Sequence, residues 1–158
     1  MVPIAHGAFA DATKASLQGF NAGPLANENF KLMSNGTDQI VWLQSAEPIS
    51  LFCNDETDGE TFAACLQTFE SLLSFKADGV EVEPGLAESY KANADLTEWT
   101  FTLRKGVKFH NGDALTANDV VATWDMMWDA KSPNHKGNTG VFEYFSGFFG
   151  GFLNPPPK

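Results

Sequence analysis

Two amphipathic helix patterns, separated by a run of short strands, constrain the fold of this chain more than any other feature. The first spans about residues 58–73 and has an apolar stripe of Phe62, Cys65, Leu66, Phe69, Leu72 and Leu73. The second spans about residues 116–130 and has a stripe of Val120, Val121, Trp124, Met127 and Trp128. Thr57 with Glu60, and Thr116 with Asp119, have capping-box spacing and predict where the two helices begin.

Short apolar runs bounded by turn residues predict strands beside these helices. Residues 39–44 read as a buried strand between turn-forming segments. Residues 86–91 and 98–104 read as a hairpin, whose second arm alternates apolar and polar side chains. The sequence therefore predicts an α+β fold, with a mixed β-sheet covered by the two helices.

Phenylalanine is unusually abundant near the end of the chain. The sequence holds fourteen phenylalanines, and five of them fall between residues 142 and 152. The pattern there is weakly periodic and predicts a short helix at about residues 141–148. Such an apolar excess is either buried in a core or marks a contact surface.

The charge balance excludes two classes of partner. Ten Lys and Arg against twenty Asp and Glu give a net charge of −10. A nucleic-acid binder or an anionic-membrane binder needs a basic surface, so neither is expected. The sequence shows no apolar run of membrane-spanning length and no signal-peptide pattern after Met1, so we expect the chain as it stands to carry no export signal.

The residues that carry catalytic or metal chemistry are sparse. The chain has two cysteines and three histidines, at spacings that match no zinc-ligand motif. Cys53 and Cys65 fit either a disulfide or two buried thiols equally well by composition. No nucleophile motif, phosphate loop or dinucleotide fingerprint occurs, so we expect no catalytic residues, no metal and no cofactor.

Four blocks, in order along the chain, resemble one protein family. Residues 69–79 read Phe-Glu-Ser-Leu-Leu-Ser-Phe-Lys-Ala-Asp-Gly, and residues 83–90 read Glu-Pro-Gly-Leu-Ala-Glu-Ser-Tyr. Residues 99–113 read Trp-Thr-Phe-Thr-Leu-Arg-Lys-Gly-Val-Lys-Phe-His-Asn-Gly-Asp, and residues 115–121 read Leu-Thr-Ala-Asn-Asp-Val-Val. This run resembles the N-terminal lobe of the peptide/nickel-type (family 5) extracytoplasmic solute-binding proteins of ABC importers. The resemblance implies a non-catalytic binding protein with one lobe of a periplasmic-binding-protein type II-like fold.

The resemblance also implies a division of the chain. Residues 38–153 correspond to the N-terminal lobe, and residues 154–158 form a Pro-rich tail expected to fray. Residues 1–37 resemble the C-terminal end of the family, which here precedes the lobe. We expect a permuted lobe, or the end of one receptor copy followed by part of a second.

Relatives bind solute in a crevice between two lobes, whereas this chain supplies one. The resemblance implies contacts from Ser45, Ala46 and Glu47 at the predicted strand end, and weak binding of a peptide or another small solute. Residues 50–53 read Ser-Leu-Phe-Cys where relatives usually have Ser-Leu-Asp-Pro, which changes the chemistry at this edge.

The resemblance implies an extracytoplasmic location, in the periplasm or at the cell surface. An oxidising compartment favours a Cys53–Cys65 disulfide. The implied partners are an ABC permease and the missing second lobe. The alternative is a structural module in which a reused lobe associates with copies of itself, as a homo-oligomer or filament, through its Phe-rich segment.

Overall fold

Four consecutive short strands lie between helices in the described part of the chain, which confirms the predicted α+β class. The computed structural model describes residues 11–21, 28–54, 56–77, 79–134 and 142–152. Their elements are a 3₁₀ helix Phe30–Leu32, α1 Gly59–Thr68, β1 Leu73–Phe75, β2 Val82–Pro84, β3 Ala87–Ala92, β4 Trp99–Leu103, α2 Ala117–Trp128 and α3 Glu143–Phe149. The proposed tail at residues 154–158 lies outside the described residues, as does much of segment 1–37. No helix within the described ranges combines the length and apolar character needed to cross a bilayer.

The strands form two antiparallel pairs where one mixed sheet was predicted. β1 pairs with β2, and β3 pairs with β4, so that Tyr90 lies opposite Phe101 and Ala92 opposite Trp99. The predicted hairpin is therefore confirmed. Within the described part of the chain both pairs are antiparallel, because short turns link the strands and a parallel pair needs a longer crossover.

The strand predicted at residues 39–44 is wrong. This segment has no regular secondary structure, and Val41 and Leu43 are 86% and 92% exposed. Its continuous apolar run suits a buried strand, but a strand also requires a partner for its backbone groups. None of the described strands pairs with it.

Helix α1 begins one residue later and ends earlier than predicted. Asp58, not Thr57, caps it, because the Asp58 carboxylate accepts a hydrogen bond of 2.8 Å from the Thr61 N–H. The helix ends at Thr68, where Phe69 turns to an extended conformation. The last apolar residues of the predicted stripe therefore lie beyond the helix, and Leu73 begins β1.

Residues 85–87 join the two strand pairs. Their N–H groups donate to the carbonyls of Ser71 and Leu72 over 2.9–3.1 Å. From the other side, Nε and Nη2 of Arg104 donate to the Gly85 carbonyl at 3.2 and 3.1 Å. A Cβ on Gly85 would lie 2.4 Å from the Ser71 carbonyl oxygen, so this close approach of two backbones requires glycine.

Helix α3 confirms the helix predicted in the Phe-rich segment, although residue 141 lies outside the described residues. Its Phe145 is buried, with its ring centroid 5.2 Å from Trp124 and 5.3 Å from Trp128 of α2. Phe148 is 80% exposed. The phenylalanine excess is thus divided between a small aromatic core and an exposed face.

The same helix also contacts the start of α1. The Thr57 hydroxyl donates to Oε2 of Glu143 at 2.9 Å, and the rings of Phe62 and Tyr144 are stacked 6.4 Å apart. Two segments far apart in the sequence are thereby held together.

Helix α2 begins as predicted, with Asp119 closing the first turn. Its carboxylate accepts from the N–H and hydroxyl of Thr116 at 2.7 and 2.8 Å. The hydrogen bond from the Thr116 hydroxyl, followed by the one from its N–H, lowers the pKa of Asp119 below its ordinary value of 3.8.

We expect Asp119→Asn to lower the melting temperature by a few degrees at neutral pH. A lowered pKa means that the carboxylate stabilises the fold above its unfolded value of 3.8 and that this contribution is lost as the pH falls. Thermal melts from pH 7 downward should show the gap to the parent chain closing below about pH 4. Asp95→Asn, in the exposed hairpin turn, is the control, and a gap that stays constant with pH would contradict the assignment.

Candidate functional site

The three residues predicted to contact solute line one open groove. This groove has a volume of about 620 Å³ and runs between helix α1 and the extended segment before it. Its lining residues are Phe30, Trp42, Leu43, Gln44, Ser45, Ala46, Glu47, Ala63 and Ala64. The structure thus brings Ser45, Ala46 and Glu47 together at one edge of a concave surface of ligand size.

Two aromatic rings form one wall of the groove. The centroid of Phe30 lies 5.0 Å from that of Trp42, with the ring planes inclined by 48°. Phe20 adds a third ring 6.2 Å from Trp42. Trp42 is half-buried, so part of its indole packs against these rings while the rest faces solvent.

Gln67 of helix α1 holds the Phe30 side of the groove. Its Oε1 accepts from the Phe30 N–H at 2.9 Å, and its Nε2 donates to the Glu28 carbonyl at 3.0 Å. The same Nε2 donates to the Ala63 carbonyl at 2.9 Å. One amide side chain therefore fixes the 3₁₀ helix to the last turn of α1.

Two further side chains of α1 hold the opposite edge. The Ser45 hydroxyl donates to Oε1 of Glu60, so the Glu60 carboxylate binds the groove segment and does not complete the predicted capping box. The hydroxyl of Thr61, which is fully buried, donates to the Ser50 carbonyl at 2.9 Å. Both contacts place residues 45–50 alongside the first turn of the helix.

A disulfide adds a covalent link at the same place. Cys53 and Cys65 are bonded, with their Cα atoms 5.8 Å apart, and Cys65 is buried on α1. The pairing that the resemblance implied is present in the structure. It holds residues 50–53, which depart from the usual family sequence, against the helix.

The charge around the groove is negative. Glu47 lines it, and Glu60 reaches it through Ser45, whereas no Lys, Arg or His is among its lining residues. At the helix start, hydrogen bonding from Thr61 lowers the pKa of Asp58. Within the described ranges, no group of three His, Cys, Asp or Glu residues could hold a metal ion.

Four contributors to the site could not be identified from the sequence. Trp42 belongs to the segment predicted as a strand, and Phe30 belongs to a loop-rich segment of the sequence. Glu60 fits a capping box better than a groove contact, and Gln67 is a polar residue between stripe positions with no distinguishing spacing. The resemblance marks Ser45, Ala46 and Glu47, and their assignment as solute contacts stays a prediction.

Comparison with known proteins confirms the resemblance. Residues 81–143 match the family model described as bacterial extracellular solute-binding proteins, family 5 Middle. The chain is similar to the dipeptide-binding protein of Escherichia coli (strain K12), with 40% identity over 58% of this chain and 18% of that protein. It is also similar to heme-binding protein A of Haemophilus influenzae (strain ATCC 51907 / DSM 11121 / KW20 / Rd), with 32% identity over 76% of this chain and 23% of that protein.

A solved structure agrees with these sequence matches. The dipeptide-binding protein from Pseudoalteromonas sp. SM9913 in complex with Met-Leu aligns with a TM-score of 0.52 and 31% identity. The alignment covers 64% of this chain and 21% of that one. The chain therefore spans about a fifth of the length of the proteins it matches.

We expect reduction of Cys53–Cys65 to destabilise the chain by about 3 kcal/mol, because the crosslink restricts the unfolded state. The intact mass should increase by two hydrogen atoms on treatment with reductant. Urea unfolding of the Cys53→Ser, Cys65→Ser double variant should reproduce the loss of stability, and oxidised chain with or without alkylating agent is the matched control. Two free thiols in protein isolated under oxidising conditions would contradict the pairing.

Proposed function

We propose that this chain, whose residues 81–143 match the model of the family 5 bacterial extracellular solute-binding proteins, forms part of an extracytoplasmic receptor for peptides or similar small solutes. In this proposal it binds without catalysis and delivers its solute to an ABC permease. The relatives named above include a dipeptide-binding and a heme-binding protein, so the family name alone does not determine the solute.

One observation carries the proposal to particular residues. Ser45, Ala46 and Glu47 were selected by resemblance, and they line a groove whose other residues were not part of that selection. The groove offers an apolar wall at Trp42 together with exposed polar groups at its edge. This combination suits a short peptide, which carries apolar side chains on a polar backbone.

The open geometry of the groove supports a binding step that needs a second surface. Residues 45–47 are exposed, and the segment covers only one side of any bound ligand. High affinity generally requires most of the ligand surface to be buried. We propose that the rest of a two-lobed receptor closes over this groove by a hinge motion, while α1 and its attached segment form the fixed half.

We expect the chain alone to bind a dipeptide such as Met-Leu weakly, with a dissociation constant well above the micromolar range. Isothermal titration calorimetry, supported by NMR shifts of the tryptophan indoles, measures this directly. Trp42→Ala should abolish the shifts, whereas Trp99→Ala, on the exposed hairpin, should leave them unchanged. Submicromolar binding by this chain alone would overturn the proposal that a second surface is required.

Self-association is the second candidate function, favoured by one observation. Phe148 and Phe149 of α3 are 80% and 54% exposed and lie side by side. Two exposed aromatic rings on one helix offer an apolar contact for another copy of the chain.

Sedimentation velocity at increasing concentration tests this alternative. If the chain is a self-associating module, a large species should accumulate at tens of micromolar, and Phe148→Ser should suppress it. Phe75→Ser, at a half-exposed strand position, controls for a general loss of apolar surface. A clean monomer over the whole range would contradict self-association.

A further inference from the structure

The chain contains two Asn-Gly pairs, Asn35–Gly36 and Asn111–Gly112. An asparagine that precedes glycine is prone to lose its side-chain amide, because glycine leaves its own backbone nitrogen sterically accessible. Both glycines are exposed, and a Cβ on either of them would meet no atom within 4 Å. The space around the two pairs is therefore equally open, and their hydrogen bonds are what distinguish them.

The turn that contains Asn111 is closed by bonds between backbone groups. The Gly112 N–H donates to the Phe109 carbonyl at 2.9 Å, and the Phe109 N–H donates to the Asp113 carbonyl at 2.8 Å. Loss of the amide requires the Gly112 nitrogen to approach the side-chain carbon of Asn111. The backbone bonds of this turn must break before that approach, so they protect the pair.

The segment that contains Asn35 is held by side chains instead. The Gly36 N–H donates to Oγ of Ser34 at 3.3 Å, and Nδ2 of Asn35 donates to the Gln39 carbonyl at 2.8 Å. In the part of the chain that the structure describes, no hydrogen bond between two backbone groups involves residues 35–39. Such an exposed segment opens locally at a low cost in free energy, so the Gly36 nitrogen is the freer of the two.

The side-chain carbonyl of Asn35 is also the more strongly polarised. Its Oδ1 accepts from the Thr37 N–H at 2.9 Å, and the Thr37 hydroxyl lies 2.8 Å from the same oxygen. That hydroxyl has one proton to share between this oxygen and the Gln39 carbonyl at 2.9 Å. Oδ1 of Asn111 accepts from the Asp113 N–H at 3.0 Å, and the Asp113 carboxylate lies 2.7 Å from Nδ2. Attack on an amide carbon places negative charge on its oxygen, which donors stabilise and a carboxylate disfavours.

We propose that Asn35 is a site of spontaneous deamidation, and that the folded chain directs the reaction to Asn35 in preference to Asn111. The Gly36 nitrogen attacks Cγ of Asn35 and forms the new C–N bond of a succinimide, while the Cγ–Nδ2 bond breaks. The proton of the Gly36 nitrogen passes through solvent to the leaving nitrogen, which departs as ammonia. Water then opens the ring to aspartate or isoaspartate, and nothing is oxidised or reduced.

The modification changes the segment that leads to the groove. A carboxylate at position 35 does not donate to the Gln39 carbonyl, so the bond that closes residues 35–39 is lost. The product also adds one negative charge to a chain whose net charge is already −10. Anion-exchange chromatography therefore separates the modified chain from its parent.

Peptide mapping by mass spectrometry tests the preference, because positions 35 and 111 are measured in the same sample. The full chain is incubated at mildly alkaline pH, where a larger fraction of the attacking backbone nitrogen is deprotonated. We expect position 35 to be deamidated severalfold faster than position 111. In concentrated urea both turns lose their hydrogen bonds, and the two rates should converge.

Ser34→Ala tests the contribution of the hydrogen bond to the nucleophile. Without the Ser34 hydroxyl the Gly36 N–H has no acceptor, so deamidation at position 35 should be about twofold to threefold faster. The rate at position 111 should not change. Ser50→Ala is the matched control, because its hydroxyl accepts from the Phe52 N–H in the same way, away from both pairs.

The preference and its cause are contradicted by different results. Equal rates at the two positions in the folded chain, or a faster reaction at position 111, would overturn the proposal. A preference that persists unchanged in urea would also overturn it, because the neighbouring sequence and not the fold would then be the cause. No increase with Ser34→Ala would show that the Gly36 nitrogen is not restrained as proposed.

Discussion

The backbone contact at residues 85–87 is the constraint on which the arrangement of strands depends. The N–H groups of residues 85–87 donate to the carbonyls of Ser71 and Leu72, in the chain that leaves α1. Arg104, at the end of β4, donates to the Gly85 carbonyl. Two strand pairs that would each be marginal alone are thereby linked. A side chain at Gly85 would prevent the contact, so the close approach of the two backbones requires glycine there, and Ala87 in the same contact is fully buried.

Helix α1 organises the candidate site through side chains spread over two of its turns. Glu60, Thr61, Cys65 and Gln67 each bind a different point of residues 28–53, a segment that has little regular structure of its own. Polar side chains of α1 form hydrogen bonds with backbone N–H and C=O groups of this segment. In a β-sheet, a neighbouring strand would pair with such groups. The groove is therefore formed by an irregular segment, yet its position is fixed by a regular helix.

The sequence predicted local elements well and their assembly less well. The hairpin, helix α2 and helix α3 were predictable because alternation, a capping box and helical spacing act between neighbours. The strand at residues 39–44 failed because strand formation depends on a distant partner, which the pattern of this segment does not specify. For the candidate site, the family resemblance predicted Ser45, Ala46 and Glu47 as solute contacts, while Trp42 and Gln67 shape the groove through contacts with residues far away in the sequence.

The bond between Thr57 and Glu143 has a consequence for the order in which the chain is completed. The two residues are separated by 86 positions, so the start of α1 is synthesised long before its partner on α3 exists. At ordinary ribosomal rates this interval is roughly 4–17 s, far longer than a helix needs to form. The contact between Phe62 and Tyr144 therefore cannot form until the end of the chain has been made.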